Sequence, residues 1–139
     1  MDLGLNGRKA LVSGANRGIG RACAIALAEE GCDVALFARD EESCQEVTDM
    51  LKEQHPDGTF VTAIADLGMN PTVKKAVDDA AEALGGIDIV VNAAGGSARG
   101  GLGVVPHEEW HRRLDAKPLG LIAVCEAALP YLEESDQAR

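Results

Sequence analysis

The chain has 139 residues, 46% hydrophobic and 26% charged, enough for one domain with a core of its own. Thirteen basic residues against twenty-three acidic ones leave a net charge of −10. That balance repels phosphate backbones and anionic bilayers, so neither nucleic acid nor a membrane is expected as partner.

Aromatics make up only 3% of the chain, so the core has to be built from Ala, Val, Leu and Ile, a palette suited to parallel strands covered on both faces. In chain order, Lys9–Ser13 is a short buried strand followed at once by a glycine turn. Ile19, Ala22, Cys23, Ala26 and Leu27 recur at helical spacing, and Gly31 stands where a helix C-cap glycine belongs. Asp33–Ala38 is a second strand, and Glu41–Gln54 a polar helix turning Val47, Met50 and Leu51 inward. His55-Pro56-Asp57-Gly58 is a loop, and residues 59–65 form a β-branched third strand.

Asn70 is expected as an N-cap with Pro71 at the first helical position; Val73, Val77, Ala80 and Leu84 form that helix's stripe, and Gly85-Gly86 ends it. The fourth strand is expected at residues 87–91, a glycine-rich loop at 95–103, and a helix over 107–134 broken near Pro118. Strands alternating with helices imply an α/β fold of the Rossmann type, a doubly wound parallel sheet, here one incomplete domain over residues 1–139 that stops after the fourth strand and its helix.

Cys23, Cys32, Cys44 and Cys125 show neither a CxxC pair nor metal-ligand spacing, so no metal site is expected and the thiols read as structural, Cys23 and Cys125 as small hydrophobes in apolar helices. The N-terminal stretch has no signal-peptide run and no segment is long and apolar enough to span a bilayer, which places the expected location in the cytoplasm.

The chemistry sits in the turn Ser13-Gly14-Ala15-Asn16-Arg17-Gly18-Ile19-Gly20, between a strand and a helix. Gly14 lets the chain leave the strand sharply; Gly18 and Gly20 remove side chains where a ligand and the neighbouring strand must approach. The helix that follows points its amides and positive dipole end at a pyrophosphate. Cofactor choice is argued from the end of the second strand, where an acid would accept from a ribose 2′-hydroxyl. Ala38 stands there, with Arg39 next and Arg17 just before Gly18. Two guanidiniums suit a 2′-phosphate, which favours NADP(H) over NAD(H). The competing reading is that both arginines are solvated surface groups.

The spacing G-x3-G-x-G resembles that of the short-chain dehydrogenase/reductase family. Asp66-Leu67, after the third strand, looks like that family's adenine-contacting Asp and its neighbour, although Asp66 as a plain turn residue stays open. Asn92-Ala93-Ala94-Gly95 is similar to its N-N-A-G element, with Ala93 replacing the second Asn and Asn92 implied to be largely architectural. Trp110 and Ala127-Ala128-Leu129-Pro130 fit the next helical region, Trp110 as core or interface packing. The resemblance implies NADP(H)-dependent hydride transfer on a small carbonyl or alcohol substrate, by a homo-oligomer.

Departures from the family's pattern are equally plain. Its Ser and Tyr-x-x-x-Lys are missing: Tyr131, the one tyrosine, is followed four residues on by Ser135. Lys117, in Lys117-Pro118-Leu119-Gly120, occupies the place of the family's Asn in N-x-x-G and is kept as a candidate catalytic or pocket residue. The chain alone is therefore expected to be inactive, a fragment of a longer enzyme, with a bare edge on the fourth strand. Two alternatives stand beside this: a catalytically dead NADP(H)-binding or protein-interaction module, and a methyltransferase-type nucleotide fold, against which Ala38-Arg39 argues. His55, His107 and His111 have no partner pattern and no assigned role.

Overall fold

The computed structural model describes residues 3–68, 70–96, 100 and 103–139, with Asn70 known through its backbone only. Four strands form one parallel sheet in the order β3-β2-β1-β4. They are β1 (Lys9–Ser13), β2 (Asp33–Ala38), β3 (Phe60–Ile64) and β4 (Ile89–Asn92). The helices between them are α1 (Gly18–Glu29), α2 (Glu41–Gln54) and α3 (Asn70–Leu84). After β4 come α4 (His107–Leu114), a π-helical turn (Asp115–Leu119) and α5 (Gly120–Glu134). This is the Rossmann-type architecture expected.

Pleating sends alternate strand residues to two cores. Leu11, Ala35, Phe37 and Ala63 face a cluster made with α3 and α5. Ala10, Val12, Val34 and Leu36 face the opposite cluster, made with α1 and α2. With both faces covered, β1 and β2 are almost wholly buried, which is why they read as continuous apolar runs. Helix α1 ends as its glycine foretold: Gly31 takes φ +83°, its amide donates to Ala28, and Cys32 donates to Leu27.

Three expectations shift. The fourth strand begins at Ile89 rather than residue 87, because the Asp88 carboxylate takes the Lys9 amide (2.9 Å) while the Asp88 amide donates to the Lys9 carbonyl (2.8 Å). A side chain thus substitutes for the first ladder acceptor. Pro118 does not break the last helix; the π-helical turn absorbs it, with the Gly120 amide donating to the Asp115 carbonyl. The outer edge of β4 is not bare either. Arg139 donates its amide to the Asp88 carbonyl (2.9 Å) and accepts from the Val90 amide (3.0 Å), a parallel pairing opposite Ile89. Ser135 donates to the Asp88 carboxylate at 2.6 Å, and the Arg8 guanidinium pairs with Asp136.

Cys32 and Cys44 are buried free thiols, each pushed up to about 11 chiefly by desolvation, and each donates to a carbonyl, of Leu5 and Leu36. Cys125 differs from its expected apolar role: it is exposed. Trp110 is 43% exposed, so it is no core residue. Among the described residues no helix is long and apolar enough to cross a membrane, and no group of three or more potential ligands is placed to hold a metal.

Candidate cofactor site

Sequence order along the sheet reverses between β1 and β4, and in such sheets the carboxyl ends at the reversal border a crevice. Ser13 and Asn92, the last residues of the two strands, stand opposite each other there. The glycine turn leaves β1 at this point. Gly14 takes φ +70°, and a Cβ on it would stand 2.8 Å from the Ala94 amide nitrogen and Cα. A Cβ on Gly20 would stand 2.6 Å from the Gly14 carbonyl carbon. Gly18, at φ +56°, faces open space. The same triplet thus serves two ends: Gly14 and Gly20 allow close backbone packing, and Gly18 keeps the turn's mouth clear.

Among the described residues no side chain caps the N-terminus of α1. Arg17 caps it with no side-chain hydrogen bond, its first turn holds no acid, and Ile19 is 78% exposed. Free amides at a positive dipole end, beside an exposed apolar side chain, form a seat for an anionic, partly apolar ligand.

Ser13 ties the crevice floor together. Fully buried, its Oγ accepts from the amides of Ala93 (3.1 Å) and Ala94 (3.2 Å) and donates to Asn92 Oδ1 (3.3 Å). Asn92 also donates to Cys125 Sγ at 3.2 Å, which suits the architectural role the resemblance implied. From sequence Ser13 reads only as the first residue of the turn and Cys125 as a small hydrophobe; a lone Ser at a strand end gives little signal of this role.

On the β2 side, Asn16 donates from Nδ2 to Ser43 Oγ at 3.0 Å, fastening the turn to the start of α2. Asp40 caps α2 by accepting from the Ser43 amide at 2.8 Å. The Ser43 hydroxyl and amide, then the Arg17 charge, hold the Asp40 carboxyl below its ordinary range. Arg39 is exposed beside it, with no carboxylate partner among the described residues. The field of Arg17 therefore reaches the residue next to Arg39.

Asp66 Oδ1 accepts from the Gly68 amide at 3.0 Å, a local turn contact. Leu67 points into the core, 7% exposed, and takes Gly120 against it. On the β4 side, the Lys117 stem lies across Gly95, with Cδ and Cε 3.5 Å from where a Cβ would be. Arg113 Nη1 lies 2.9 Å from the corresponding point on Gly96. Arg112, through two hydrogen bonds, and Arg113, through one, bind Glu109, whose carboxyl they lower to about 2. Arg113 and Gly96 were not singled out from sequence. Of the loop expected at 95–103, residues 97–99, 101 and 102 lie outside the described residues.

The structure separates Tyr131 from this crevice. Its hydroxyl donates to Asp78 at 2.9 Å, between α5 and α3, which raises its pKa, and Lys74 binds the same carboxylate from its own helix. His107 and His111 stack loosely on exposed α4, 6.1 Å between ring centroids, and His55 lies near Phe60.

Residues 8–139 match the family described as short chain dehydrogenase. The chain belongs to that family. Among curated short-chain relatives, versicolorin reductase of Emericella nidulans is 35% identical over 131 residues, covering 94% of this chain and 49% of the reductase. A short-chain dehydrogenase from Burkholderia cenocepacia, solved in complex with NADP, is 35% identical with a TM-score of 0.86, over 92% of this chain and 52% of that one. Carveol dehydrogenase from Mycobacterium avium, solved in complex with NAD, is 31% identical with a TM-score of 0.81, over 91% of this chain and 50% of that one. The chain thus spans about half the length of the short-chain dehydrogenases it matches.

Proposed function

We propose that the chain is the cofactor-binding half of an NADP(H)-dependent oxidoreductase acting on a small carbonyl or alcohol. The observation that carries this is the glycine turn: Gly18 open to the crevice, the uncapped start of α1 behind it, and the Ala93–Ala94 backbone closed on Gly14. These residues fit a dinucleotide. Gly14, Asn16, Gly18, Ile19 and Gly20 seat the pyrophosphate, Arg17 and Arg39 take the adenosine phosphate, and Asp66 with Leu67 borders the adenine. Asn92, Ala93, Ala94 and Gly95 border the nicotinamide, which when bound supplies or takes the hydride. Relatives with NADP and with NAD are both known, and the pair of arginines, with no acid at Ala38, supports NADP(H) here.

The protein is read as cytoplasmic. The exposed apolar residues Leu114, Leu119, Ile122 and Leu129 on one helical run support a homo-oligomer. Because Tyr131 lies away from the crevice, the 139 residues alone are inactive in this reading, and the remaining catalytic groups belong to a longer chain. Calorimetric titration with NADP+ and NAD+ tests the seat. Tighter NADP+ binding, reduced in Arg39→Ala without loss of NAD+ binding, is expected; equal affinities would remove the NADP(H) assignment. A dead binding module is the second reading, supported by Lys117 in place of a catalytic Asn. Substrate-independent, tight NADP+ binding by a longer chain that never oxidises NADPH would favour it.

A further inference from the structure

We propose that Lys117 is a specificity-determining residue that binds a carboxylate of the substrate at the nicotinamide end of the crevice. The inference rests on the oxidoreductase reading above and names its substrate class.

Three observations converge on one rim. Gly95 directly follows Ala94, the residue in close contact with the Gly14 turn, so a side chain laid over Gly95 borders the crevice. Lys117 is that side chain: its Cγ, Cδ and Cε lie 3.8, 3.5 and 3.5 Å from the Cβ position of Gly95. The π-helical turn that carries Lys117 makes this reach possible, since it inserts a wider turn between α4 and α5 where a regular helix would place the residue elsewhere. A Cβ at position 95 would meet the stem at ordinary van der Waals distance, so the stem lies directly over this residue.

Among the described residues the Lys117 charge has no ion-pair partner, and its ammonium offers three donors and no acceptor. Arg113 brings a second cation over the adjacent glycine, Gly96. Glu109 offsets one of the two guanidiniums of Arg112 and Arg113, and Asp115 is the exposed acid two residues from Lys117. In a chain of net charge −10, residues 107–117 carry three cations, Arg112, Arg113 and Lys117, beside three acids, Glu108, Glu109 and Asp115, and Lys117 is the cation of the three that joins no ion pair among the described residues. A neutral carbonyl compound gives those cations nothing to compensate. A carboxylate does, with one oxygen for the Lys117 ammonium and the other toward Arg113 Nη1.

The test maps amide shifts of the ¹⁵N-labelled chain against malonate, with malonamide as the neutral control, at constant ionic strength. Malonate should shift Gly95 and Gly96 saturably and malonamide should not. Lys117→Gln should weaken that isotherm by about tenfold and Lys117→Arg should restore most of it. Lys52→Gln, at an exposed cation on α2, should leave it intact. An unchanged isotherm in Lys117→Gln overturns the proposal; so does malonate confined to Gly18 and Gly20, or no malonate binding at all. The same spectra read NADP+ at Gly18 and Gly20. Failure of NADP+ to bind there removes the cofactor reading, while the malonate isotherm of the cofactor-free chain still decides the role of Lys117.

Discussion

Gly120 and Leu67 meet so closely that a Cβ on Gly120 would stand 2.7 Å from Leu67 Cβ and 2.9 Å from the Leu67 carbonyl oxygen. The contact joins the start of α5 to the segment after β3, and so fixes the π-helical turn that carries Lys117. Gly120→Ala should therefore destabilise by about 1–3 kcal/mol through overpacking. Thermal unfolding should show a Tm several degrees lower, with the Gly95 amide shifted even without ligand. An unchanged Tm would mean that the turn tolerates the methyl group.

Ser13→Ala removes the hydroxyl shared by Asn92, Ala93 and Ala94. The Ala93 amide keeps the Ser13 carbonyl at 3.2 Å, whereas the Ala94 amide loses its partner. The expected cost is about 1–3 kcal/mol, the usual penalty for leaving a buried polar group unmade. Denaturant titration should record it, and Ser13→Thr should lose less.

Arg39→Asp should reverse cofactor preference. It removes a donor for the 2′-phosphate and places a carboxylate where a ribose 2′-hydroxyl can donate to it. NADP+ affinity should fall by about tenfold or more, while NAD+ affinity holds or rises. Parallel titrations read both, and an equal loss for the two dinucleotides would place Arg39 outside adenosine recognition.

Asp88 should carry part of the stability against acid. Burial raises its pKa, but the Ser135 hydroxyl, the Lys9 amide and the charges of Arg8 and Lys9 outweigh that and leave it lowered. A carboxyl lowered by folding stabilises above its unfolded value of about 3.9, and that contribution is lost as pH falls through the folded value. Urea midpoints should therefore drop on going from pH 6 to below pH 4. Asp88→Asn should be weaker at pH 6 and show a flatter decline, and an identical pH slope would take Asp88 out of the acid transition.

Much of this was legible in sequence because it is local. The turn at Gly14, Gly18 and Gly20 and the αL glycine at Gly31 follow from what a few neighbouring residues permit. The misplacements came from distance. Periodicity at residues 87–91 could not show that Asp88 would spend its carboxylate on Lys9, 79 residues away. Pro118 signals a break on steric grounds, yet a π-helical turn braced by Gly120 against Leu67 accommodates it. Cys125 fits an apolar pattern and Trp110 the family's helical region, and only the packing of α4 and α5 reveals that both are exposed. The grip of Arg139 on the β4 edge had no sequence signal at all.

Strand order β3-β2-β1-β4 carries a consequence for folding kinetics. β1 meets β2 across 24 residues at Lys9 and Asp33, but it meets β4 across 79 at Ser13 and Asn92. Pairings between distant segments form slowly, because the intervening chain must first be closed into a loop. A half-folded chain with β1, α1 and β2 in place already owns its glycine turn but has nothing opposite Gly14. The crevice is completed only by the longest-range closure in the sheet. A ligand held on both of its sides should therefore slow unfolding far more than it speeds folding.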